Sequence, residues 1–545
     1  MKTKLSAIAL AISLAYAVPA MAYNDTATIT QTGNGNSTGI EQGSATNATA
    51  TVTQTGNSNT IGTPSAVGIL QSASSDVTAT ISEVGSYNVA GVTQTTVASG
   101  TGTIIQGDST GTSTGSTASI SQTNSSNVTS SIYQVGHGNL AKVSQKNVTG
   151  STTSNGRFST VAETTSIYSY DSKYARKIYP EASVGDYDYI STDTVYLKPI
   201  IYFNGSQQNS SFANITQGGG NSNSAAITQA YSNNVNAVIG QNGSSNTSSI
   251  TQNYINGIVT NLVTPISVIY NIPVTSRHFE NITSFGYGIS SVSARFFADD
   301  YYVTDVSVPY SFNQTSNPAA TSVTQLGNTN TGTIDQESGS NVMASINQNG
   351  SNNTSTITQT GISGSFTGIV GDVTSTSSIT SSMATVQQSN NGNYAYIDQV
   401  NGINVIASIV QNGPINYGDI YQYSGNQVLG TIYQKGMSNG ASLTQTGNNN
   451  TAQTLQTGNY NDADILQNGP GHMAQIDQFG DSNYGIISQY GVGNTAQIGQ
   501  TGNSNYGFVY QSGTGNNALI GQTGNTMYAS VSQTGTANTA SILQH

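Results

Sequence analysis

A short unit repeats along most of the chain: an apolar residue, any residue and then Gln. Two copies are Ile487-Ser488-Gln489 and Ile498-Gly499-Gln500. The Gln recurs mostly every 11 or 12 residues, and every 11 residues from Gln445 to Gln544 if Gln456, which has Thr454 before it, is admitted. Self-similarity at a fixed period is typical of repeat architectures, so this feature constrains the fold more than any other. We call each copy, with the strand it predicts, an arm.

The segments between arms are nearly as regular. Gly follows the Gln by two residues and Asn follows it by five, as Gly502 and Asn505 do after Gln500. Gly tolerates a positive φ and Asn tolerates left-handed geometry, so the pattern predicts a turn. The predicted turn glycines of the C-terminal repeats are Gly447, Gly458, Gly480, Gly491, Gly502, Gly513 and Gly535.

Between turns the residues alternate with the period of a β-strand. One arm buries nothing alone, but two arms joined by a turn form a coil of 22 or 23 residues, and stacked coils pair each strand with its equivalents at ~4.8 Å. The prediction is an all-β, two-sheet cross-β solenoid of about 16–17 strand-turn-strand coils, with a thin aliphatic core. The predicted core positions include Ile465, Ile476, Ile487, Ile498, Val509, Ile520 and Val531.

The inward Gln and Asn side chains are polar and are costly to bury alone. In register, their amides can bond to identical amides one coil away and form ladders. Asn and Gln are therefore structural in this interpretation. The predicted amide ladder contains Gln445, Gln467, Gln489, Gln500, Gln511, Gln522, Gln533, Asn450, Asn461, Asn483, Asn494, Asn505 and Asn538.

The N-terminus has the features of an export signal. Lys2 and Lys4 precede an apolar run from Leu5 to Val18, and residues 20–22, Ala-Met-Ala, suit a signal peptidase. The run is too short to span a membrane, which takes about 20 residues, so we expect a secreted protein without an anchor. A net charge of −12 with few clustered Lys or Arg disfavours nucleic acid as a partner. Without Cys, no disulfide or thiolate metal site is possible.

The arms fall into blocks that are separated by interruptions. With Glu83 in place of one Gln, there are ten arms from Gln31 to Gln145, four from Gln217 to Gln252, four from Gln325 to Gln359 and fifteen from Gln388 to Gln544, which makes 33. The predicted organisation is a signal peptide (1–22), repeats (23–145), a first insertion (146–214), repeats (215–252), a second insertion (253–322), repeats (323–359), a Ser/Thr/Gly-rich interruption with a possible degenerate arm near Ile369 (360–387), and repeats (388–545).

Both large insertions follow an even number of arms, so we expect them to leave the solenoid at the same corner, two coils (~10 Å) apart. They contain most of the Lys, Arg and Phe of the chain, a composition shift that indicates β-rich domains of another kind. They can bind a partner, or they are insertions tolerated at an exposed turn.

Five tyrosines occupy one position of alternate arms, five residues before the Gln. This spacing predicts an outward aromatic ladder, interrupted by Gly440 and Asp462. It can stiffen the sheet, or it can serve lateral bundling, carbohydrate binding or dye binding. The ladder consists of Tyr394, Tyr417, Tyr484, Tyr506 and Tyr528.

No catalytic or metal site and no cofactor is predicted. The pattern Gly-x-Ser-x-Gly occurs at residues 111–115 and 436–440, as expected by accident in a chain rich in Gly and Ser. The histidines are far apart in sequence, and Asp299, Asp300 and Asp305 lack a Gly-spaced calcium loop. We therefore do not expect an enzyme.

The segments Ala496-x-Ile498-x-Gln500-x-Gly502-x-x-Asn505 and Ala540-x-Ile542-x-Gln544 resemble the repeats of the curlin family, the subunits of bacterial curli fibres. The chain has many more repeats than typical members and two large insertions. The resemblance implies head-to-tail polymerisation into extracellular, cell-surface amyloid fibres that serve biofilm matrix, adhesion and cohesion. It implies as partners the chain itself, other curlin-like subunits, secretion or nucleation factors, and host or matrix surfaces.

Three functions remain open. A fibre subunit is favoured because the first and last arms lie next to the predicted signal and to the last residue, without caps. A monomeric secreted β-solenoid binding protein, an adhesin or an ice-binding protein capped by an insertion, would use outward Thr pairs such as Thr30 and Thr32, but later arms do not keep them. A polysaccharide-cleaving β-helix would need paired carboxylates that the repeats do not place in phase.

Overall fold

The computed structural model describes most of residues 24–545. The described segments are 24–63, 66–107, 109, 111–164, 191–193, 195–209, 211–218, 220–256, 258–264, 278–279, 292–294, 300–301, 306–308, 311–317, 319–363, 365–367, 378–380 and 382–545. The predicted signal peptide, residues 1–22, lies outside them. Among the described residues, no helix has the length and apolar character needed to cross a membrane.

The regular elements of the described segments are strands. The first block of arms contains β1 (Thr26–Thr32), β2 (Ser37–Thr38), β3 (Ile40–Gly43), β4 (Thr49–Asn57), β5 (Thr60–Thr63), β6 (Ala66–Val67), β7 (Ile69–Ser72), β8 (Thr78–Ser86), β9 (Val89–Thr95), β10 (Ala98–Gln106), β11 (Ser113–Thr114), β12 (Thr117–Thr123), β13 (Ser126–Gln134), β14 (Gly136–His137) and β15 (Leu140–Lys146).

The middle of the chain alternates between insertion strands and arms. It contains β16 (Ser151–Thr164), β17 (Ser191–Asp193), β18 (Val195–Asn209), β19 (Ser211–Gly218), β20 (Ser224–Ala230), β21 (Val235–Asn242), β22 (Thr247–Asn256), β23 (Ile258–Thr264), β24 (His278–Phe279), β25 (Val292–Ala294), β26 (Asp300–Tyr301), β27 (Val306–Val308), β28 (Ser311–Asn317), β29 (Ala319–Leu326), β30 (Thr331–Ser340), β31 (Val342–Asn349), β32 (Thr354–Thr360), β33 (Ser365–Thr367) and β34 (Ser378–Thr380).

The C-terminal block is uninterrupted. It contains β35 (Ser382–Ser389), β36 (Tyr394–Val400), β37 (Ile406–Asn412), β38 (Tyr417–Tyr423), β39 (Leu429–Lys435), β40 (Gly440–Thr446), β41 (Thr451–Thr457), β42 (Asp462–Asn468), β43 (Met473–Phe479), β44 (Tyr484–Val492), β45 (Thr495–Thr501), β46 (Tyr506–Thr514), β47 (Asn517–Thr523), β48 (Tyr528–Thr536) and β49 (Thr539–Gln544).

The arms alternate between two parallel sheets. Sheet I contains β1, β4, β8, β10, β13, β19, β21, β29, β31, β35 and the odd-numbered strands β37 to β49, with β11 and β14 as two-residue extensions. Sheet II contains β2, β3, β5, β6, β7, β9, β12, β15, β20, β22, β30, β32, β36 and the even-numbered strands β38 to β48. Within each sheet, equivalent residues of successive coils are register partners, as Ile498 and Ile520 are. The predicted all-β, two-sheet solenoid is therefore confirmed.

The core lies between the two sheets. Arms inside the stack bury alternate residues, as β42 does with Ala463, Ile465 and Gln467. The Ala and Ile, Val or Leu columns form one continuous cluster along the described coils. Because every coil contributes the same few aliphatic side chains, the core is thin and its length grows with the number of coils.

We call the turn from a sheet I strand to the next sheet II strand the first corner, and the turn back to sheet I the second corner. The three interruptions begin after β15, β22 and β32, all in sheet II, so all three leave the stack at the second corner. The described insertion strands pair differently from the arms: β16 pairs antiparallel with β18 and with β27 of the second insertion.

The coils on either side of each interruption are direct neighbours. The Gln145 side chain donates to Gln229, and that of Gln348 donates to Gln388. Ile369, near which a degenerate arm is predicted, lies outside the described residues. Since β31 pairs with β35 and β32 with β36, neither sheet holds a further strand between those partners.

Candidate functional site

The glutamines form one column in each sheet, continuous in sheet II and broken in sheet I at a single position, Glu83. In sheet I, the Nε2 of Gln500 donates to the Oε1 of Gln522 at 2.9 Å, and its second hydrogen bonds the carbonyl oxygen of Tyr484 in sheet II at 3.0 Å. Its Oε1 accepts from Gln478. The Gln500 amide thus joins its coil to both neighbours and also joins the two sheets, so its burial is compensated.

The predicted ladder glutamines divide between the sheets. Gln500 and Gln522 lie in sheet I, and Gln445, Gln467, Gln489, Gln511 and Gln533 form consecutive steps of sheet II at 2.8–3.0 Å. At each of these steps the Nε2 group donates toward the C-terminal coil, so the column has a direction.

Asparagine columns occupy the corners. At the first corner, Asn505 donates its backbone N–H and its Nδ2 to the Oδ1 of Asn483, and Nδ2 also bonds the Gly524 carbonyl oxygen at 2.9 Å. This column runs through both halves of the chain. It contains Asn36, Asn59, Asn88, Ser116, Asn139, Asn223, Asn246, Asn330, Asn353, Asn393, Asn416, Asn439, Asn461, Asn483 and Asn505.

The other predicted asparagines, Asn450, Asn494 and Asn538, belong to a second column, at the second corner, with His472 and Asn516 between them. His472 is buried, its Nδ1 accepts the backbone N–H of Asn494 at 3.2 Å, and its Nε2 lies 3.3 Å from the Asn468 carbonyl oxygen. Burial lowers the pKa of His472. A neutral ring with hydrogen on Nε2 satisfies both contacts, so this His replaces an Asn.

The predicted turn glycines all adopt positive φ, and Gly502 shows why. Its φ is +115°, and a Cβ there would collide with the carbonyl oxygen of Gly524 in the next coil. Stacked turns approach so closely that both the backbone conformation and the space require Gly.

The predicted core positions lie between the sheets. Ile476, Ile487, Ile498, Val509 and Ile520 are fully buried, and Ile465 and Val531 are 2% and 5% exposed. All belong to the continuous aliphatic cluster.

The predicted tyrosine ladder lies on the outer face of sheet II. Tyr394 and Tyr417 stack with ring centroids 5.0 Å apart, as do Tyr506 and Tyr528. Tyr484 and Tyr506 are tilted at 5.3 Å. Gly440 and Asp462 occupy the intervening register positions. Tyr528 is 66% exposed, so the column is open to solvent.

Glu83 interrupts the glutamine column of sheet I. It is fully buried, and its Oε2 accepts from Gln54 at 2.8 Å. Its Oε1 and the Oε1 of Gln106, its register partner in the next coil, are buried without a partner in the described structure. Burial raises the pKa of Glu83 to about 8, so the carboxyl is protonated at neutral pH. A proton on Glu83 then supplies the donor that the Gln106 oxygen lacks.

An aliphatic column at the second corner was missed by the sequence analysis. Its signal is an aliphatic residue three or six positions after the Gln where the arm spacing is 12 or the repeat is interrupted. The column runs from coil to coil and ends at Val428. In the next coil, Asn450 occupies the equivalent position. Its members are Ala45, Ala48, Val77, Val97, Val128, Val148, Val235, Ile255, Val342, Ile362, Val405 and Val428.

The other candidate residues do not converge. Within the described residues, no group of three or more His, Cys, Asp or Glu side chains could hold a metal ion. Ser438 of the second Gly-x-Ser-x-Gly lies in the turn between β39 and β40 with φ 56°. Asp299 and Asp305 lie outside the described residues.

Comparison with protein families finds one match, repeated along the chain. The model described as the curlin associated repeat matches residues 24–56, 327–361, 447–480, 473–502 and 502–535. No curated protein matches the chain. The matched segments are arms and turns of the solenoid, and their Gln, Gly and Asn positions are those of the columns described above. In these segments the chain therefore carries curlin associated repeats.

Proposed function

We propose that this chain is a structural subunit that stacks head to tail into extracellular, amyloid-like fibres of the curli type. The observation that carries the proposal is the self-complementary face of each coil. Apart from the step at Glu83, each coil meets the next through the same glutamine column, the same corner column and the same in-register strands. A coil of a second copy can therefore take the place of a coil of the same chain.

The ends of the described stack support axial addition. β1 pairs only with β4, and β49 pairs only with β47, so in the described part of the chain each has one edge without a partner strand. The glutamine columns are directional, because their side-chain amides donate toward the C-terminal end of the stack. Gln31 donates to Gln54 at one end, and Gln522 donates to Gln544 at the other. Only head-to-tail stacking keeps donors facing acceptors across such a joint.

The proposal assigns the chain to the outside of the cell, exported by its N-terminal signal, with a role in biofilm matrix, adhesion and cohesion. Its partners are further copies, other curlin-like subunits, secretion or nucleation factors, and host or matrix surfaces. We propose no catalytic role, since the ladder amides are engaged in coil-to-coil bonds. A charge-poor repeat supports stacking, because a charge repeated every ~4.8 Å repels its copies.

The test is assembly of the purified mature chain at neutral pH, followed by electron microscopy and thioflavin fluorescence. The informative variant pairs Gln31→Lys with Gln544→Lys, which places like charges at the proposed joint. The matched control is Thr523→Lys, which puts the same charge on the outer face of sheet I. We expect fibres from the wild type and the control, and at least tenfold slower assembly of the double variant.

Indefinite persistence of a monomer at micromolar concentration would favour the alternative, a monomeric secreted solenoid that binds a surface or ice. An ice face would need paired outward threonines in coil after coil, and the chain does not maintain them. Thr30 and Thr32 are in register with Thr53 and Thr55, but the next coil presents Ser82 and Val84 there.

A further inference from the structure

Two neighbouring strands of sheet II place a cluster of tyrosines and aspartates on the outer surface. Tyr396 of β36 lies opposite Asp419 of β38, and Asp398 lies opposite Tyr421. Carboxylates and aromatic rings thus alternate along each strand and between the two strands. We call this cluster the tyrosine–aspartate patch, and it consists of Tyr396, Asp398, Tyr417, Asp419, Tyr421 and Tyr423.

The rings of the patch form a partly exposed aromatic surface. Tyr396 and Tyr421 have centroids 5.5 Å apart at 45°, and Tyr421 and Tyr423 have centroids 6.2 Å apart at 22°. Tyr417 is 47% exposed and stacks on Tyr394. The face of an aromatic ring carries partial negative charge, so such a surface attracts cations.

Among the described residues, neither carboxylate of the patch has a positively charged neighbour. Asp419 is only 6% exposed, and its Oδ1 is buried without a hydrogen-bond partner in the described structure. The Tyr423 hydroxyl donates to Asp398 Oδ2 at 3.2 Å. A hydrogen bond to Asp419 raises the pKa of Tyr417, and burial raises the pKa of both aspartates. Burial therefore disfavours the charged form of these carboxyls, and a cation bound beside them would stabilise it.

The chain does not balance this charge with its own side chains in the C-terminal repeats. Lys435 is the only Lys or Arg after Arg295, and it ends β39 of sheet I, while the patch lies on sheet II. A hard metal ion such as Ca²⁺ needs six or more oxygen ligands, whereas the patch offers two carboxylates among rings. Rings with carboxylates suit a weakly hydrated organic cation instead.

We propose that the tyrosine–aspartate patch binds an organic ammonium group, held over the rings of Tyr396 and Tyr421 and neutralised by Asp398 and Asp419. The ammonium group can belong to a free amine or to a lysine side chain of a peptide. The patch lies within two adjacent coils of one copy, so binding does not depend on fibre assembly.

The test is saturation-transfer NMR on the full mature chain, with tetramethylammonium as the probe and neopentyl alcohol as a neutral, water-soluble analogue of similar shape. The key variant is Asp398→Asn with Asp419→Asn, which keeps side-chain size and removes the charge. The matched control is Asp477→Asn in sheet I, because Asp477 also has a buried Oδ1 without a partner but lies between Leu455 and Gly499 in register.

We expect the probe to bind the wild type and Asp477→Asn within twofold of each other, and the double variant at least tenfold more weakly. Equal binding by the double variant, or equal binding of neopentyl alcohol, would overturn the proposal. If circular dichroism shows that the double variant does not fold, Tyr421→Ser with both aspartates intact serves instead, with the same tenfold loss expected.

Butylammonium and Nα-acetyl-lysine amide, compared as competitors, distinguish a free amine from a lysine side chain.

Discussion

The second corner of the solenoid is built in two chemically different ways. In coils up to Val428 it is closed by a column of Val, Ile and Ala side chains, and from Asn450 onward by a hydrogen-bonded column of Asn and His. All three interruptions leave the stack in the aliphatic region, directly after Val148, Ile255 and Ile362. The amide region has none and keeps an arm spacing of 11 residues.

This difference indicates how the fold tolerates insertions. Hydrophobic contacts are non-directional, so an aliphatic corner can close over a chain that leaves and returns. An amide column needs donors and acceptors within hydrogen-bond distance at every coil, so a change in loop length breaks bonds. The first corner is also lined by amides, and its turn between Gln106 and Gln122 is longer than the others. At that turn Ser116 replaces the Asn of the column.

The largest effect expected from a single substitution at constant pH comes from exchanging the two chemistries. Val405→Asn buries an amide among aliphatic side chains, and Asn494→Val removes the acceptor for the Asn516 N–H and the donor for the Gly513 carbonyl oxygen. We expect each to lower the free energy of local unfolding by about 3 kcal/mol. Region-resolved hydrogen exchange would measure it, with exposed Thr495→Val as the control. If Val405→Asn costs less than about 0.5 kcal/mol, the corners are not chemically distinct.

The next effect is a pH dependence confined to the N-terminal region. The pKa of Glu83 is about 8 when folded, against an ordinary value of 4.5. Between these two pH values the folded state keeps a proton on Glu83 that the unfolded chain has lost. The stability that Glu83 contributes is therefore complete below pH 4.5. It declines by about 1.4 kcal/mol per pH unit up to about pH 8. Glu83→Gln should restore the column and remove the decline. Denaturant titrations of both proteins from pH 4 to 9 test this, and parallel curves would contradict it.

The His472 position at the second corner should respond in the opposite direction. Burial lowers the pKa of His472, so the stability it contributes is present above pH 6.5 and is lost as pH falls through its folded pKa. The loss is at most about 1.4 kcal/mol per pH unit. His472→Asn should abolish it and leave the Glu83 response unchanged. Hydrogen exchange of residues near 472 at pH 5 and pH 7 gives the answer, and equal acid sensitivity in the variant would refute the assignment.

The smallest effect concerns the tyrosine ladder, which distinguishes the C-terminal coils on their outer face. Tyr506 lies between Tyr484 and Tyr528, so Tyr506→Ala removes two ring contacts. Because the rings are partly exposed, we expect a loss of only about 0.5–1 kcal/mol. Chemical denaturation measures it against Thr501→Ala on sheet I. A loss above about 3 kcal/mol would show that the ladder is a main source of stability.

The sequence predicted the repeating elements well because each is encoded locally. Alternation marks the strands, and Gly502 is required both by a positive φ and by the close approach of the next coil. The protonation of Glu83 was not predicted, because it depends on the burial of the carboxyl and on its register partner in the next coil, Gln106. The tyrosine–aspartate patch was missed for the same reason: Asp398 and Tyr421 are neighbours only through the register of β36 and β38.

By itself, the sequence determined the coil: an 11- or 12-residue period, alternating residues and a glycine turn leave a strand-turn-strand unit that must stack to bury its apolar face. Only the tertiary structure decided which coils are neighbours. Gln145 bonds Gln229 across a long insertion, and Gln348 bonds Gln388 across a shorter one. A hydrogen bond depends on distance in space, not on separation along the chain, so an interruption that loops out at the second corner leaves the columns unbroken.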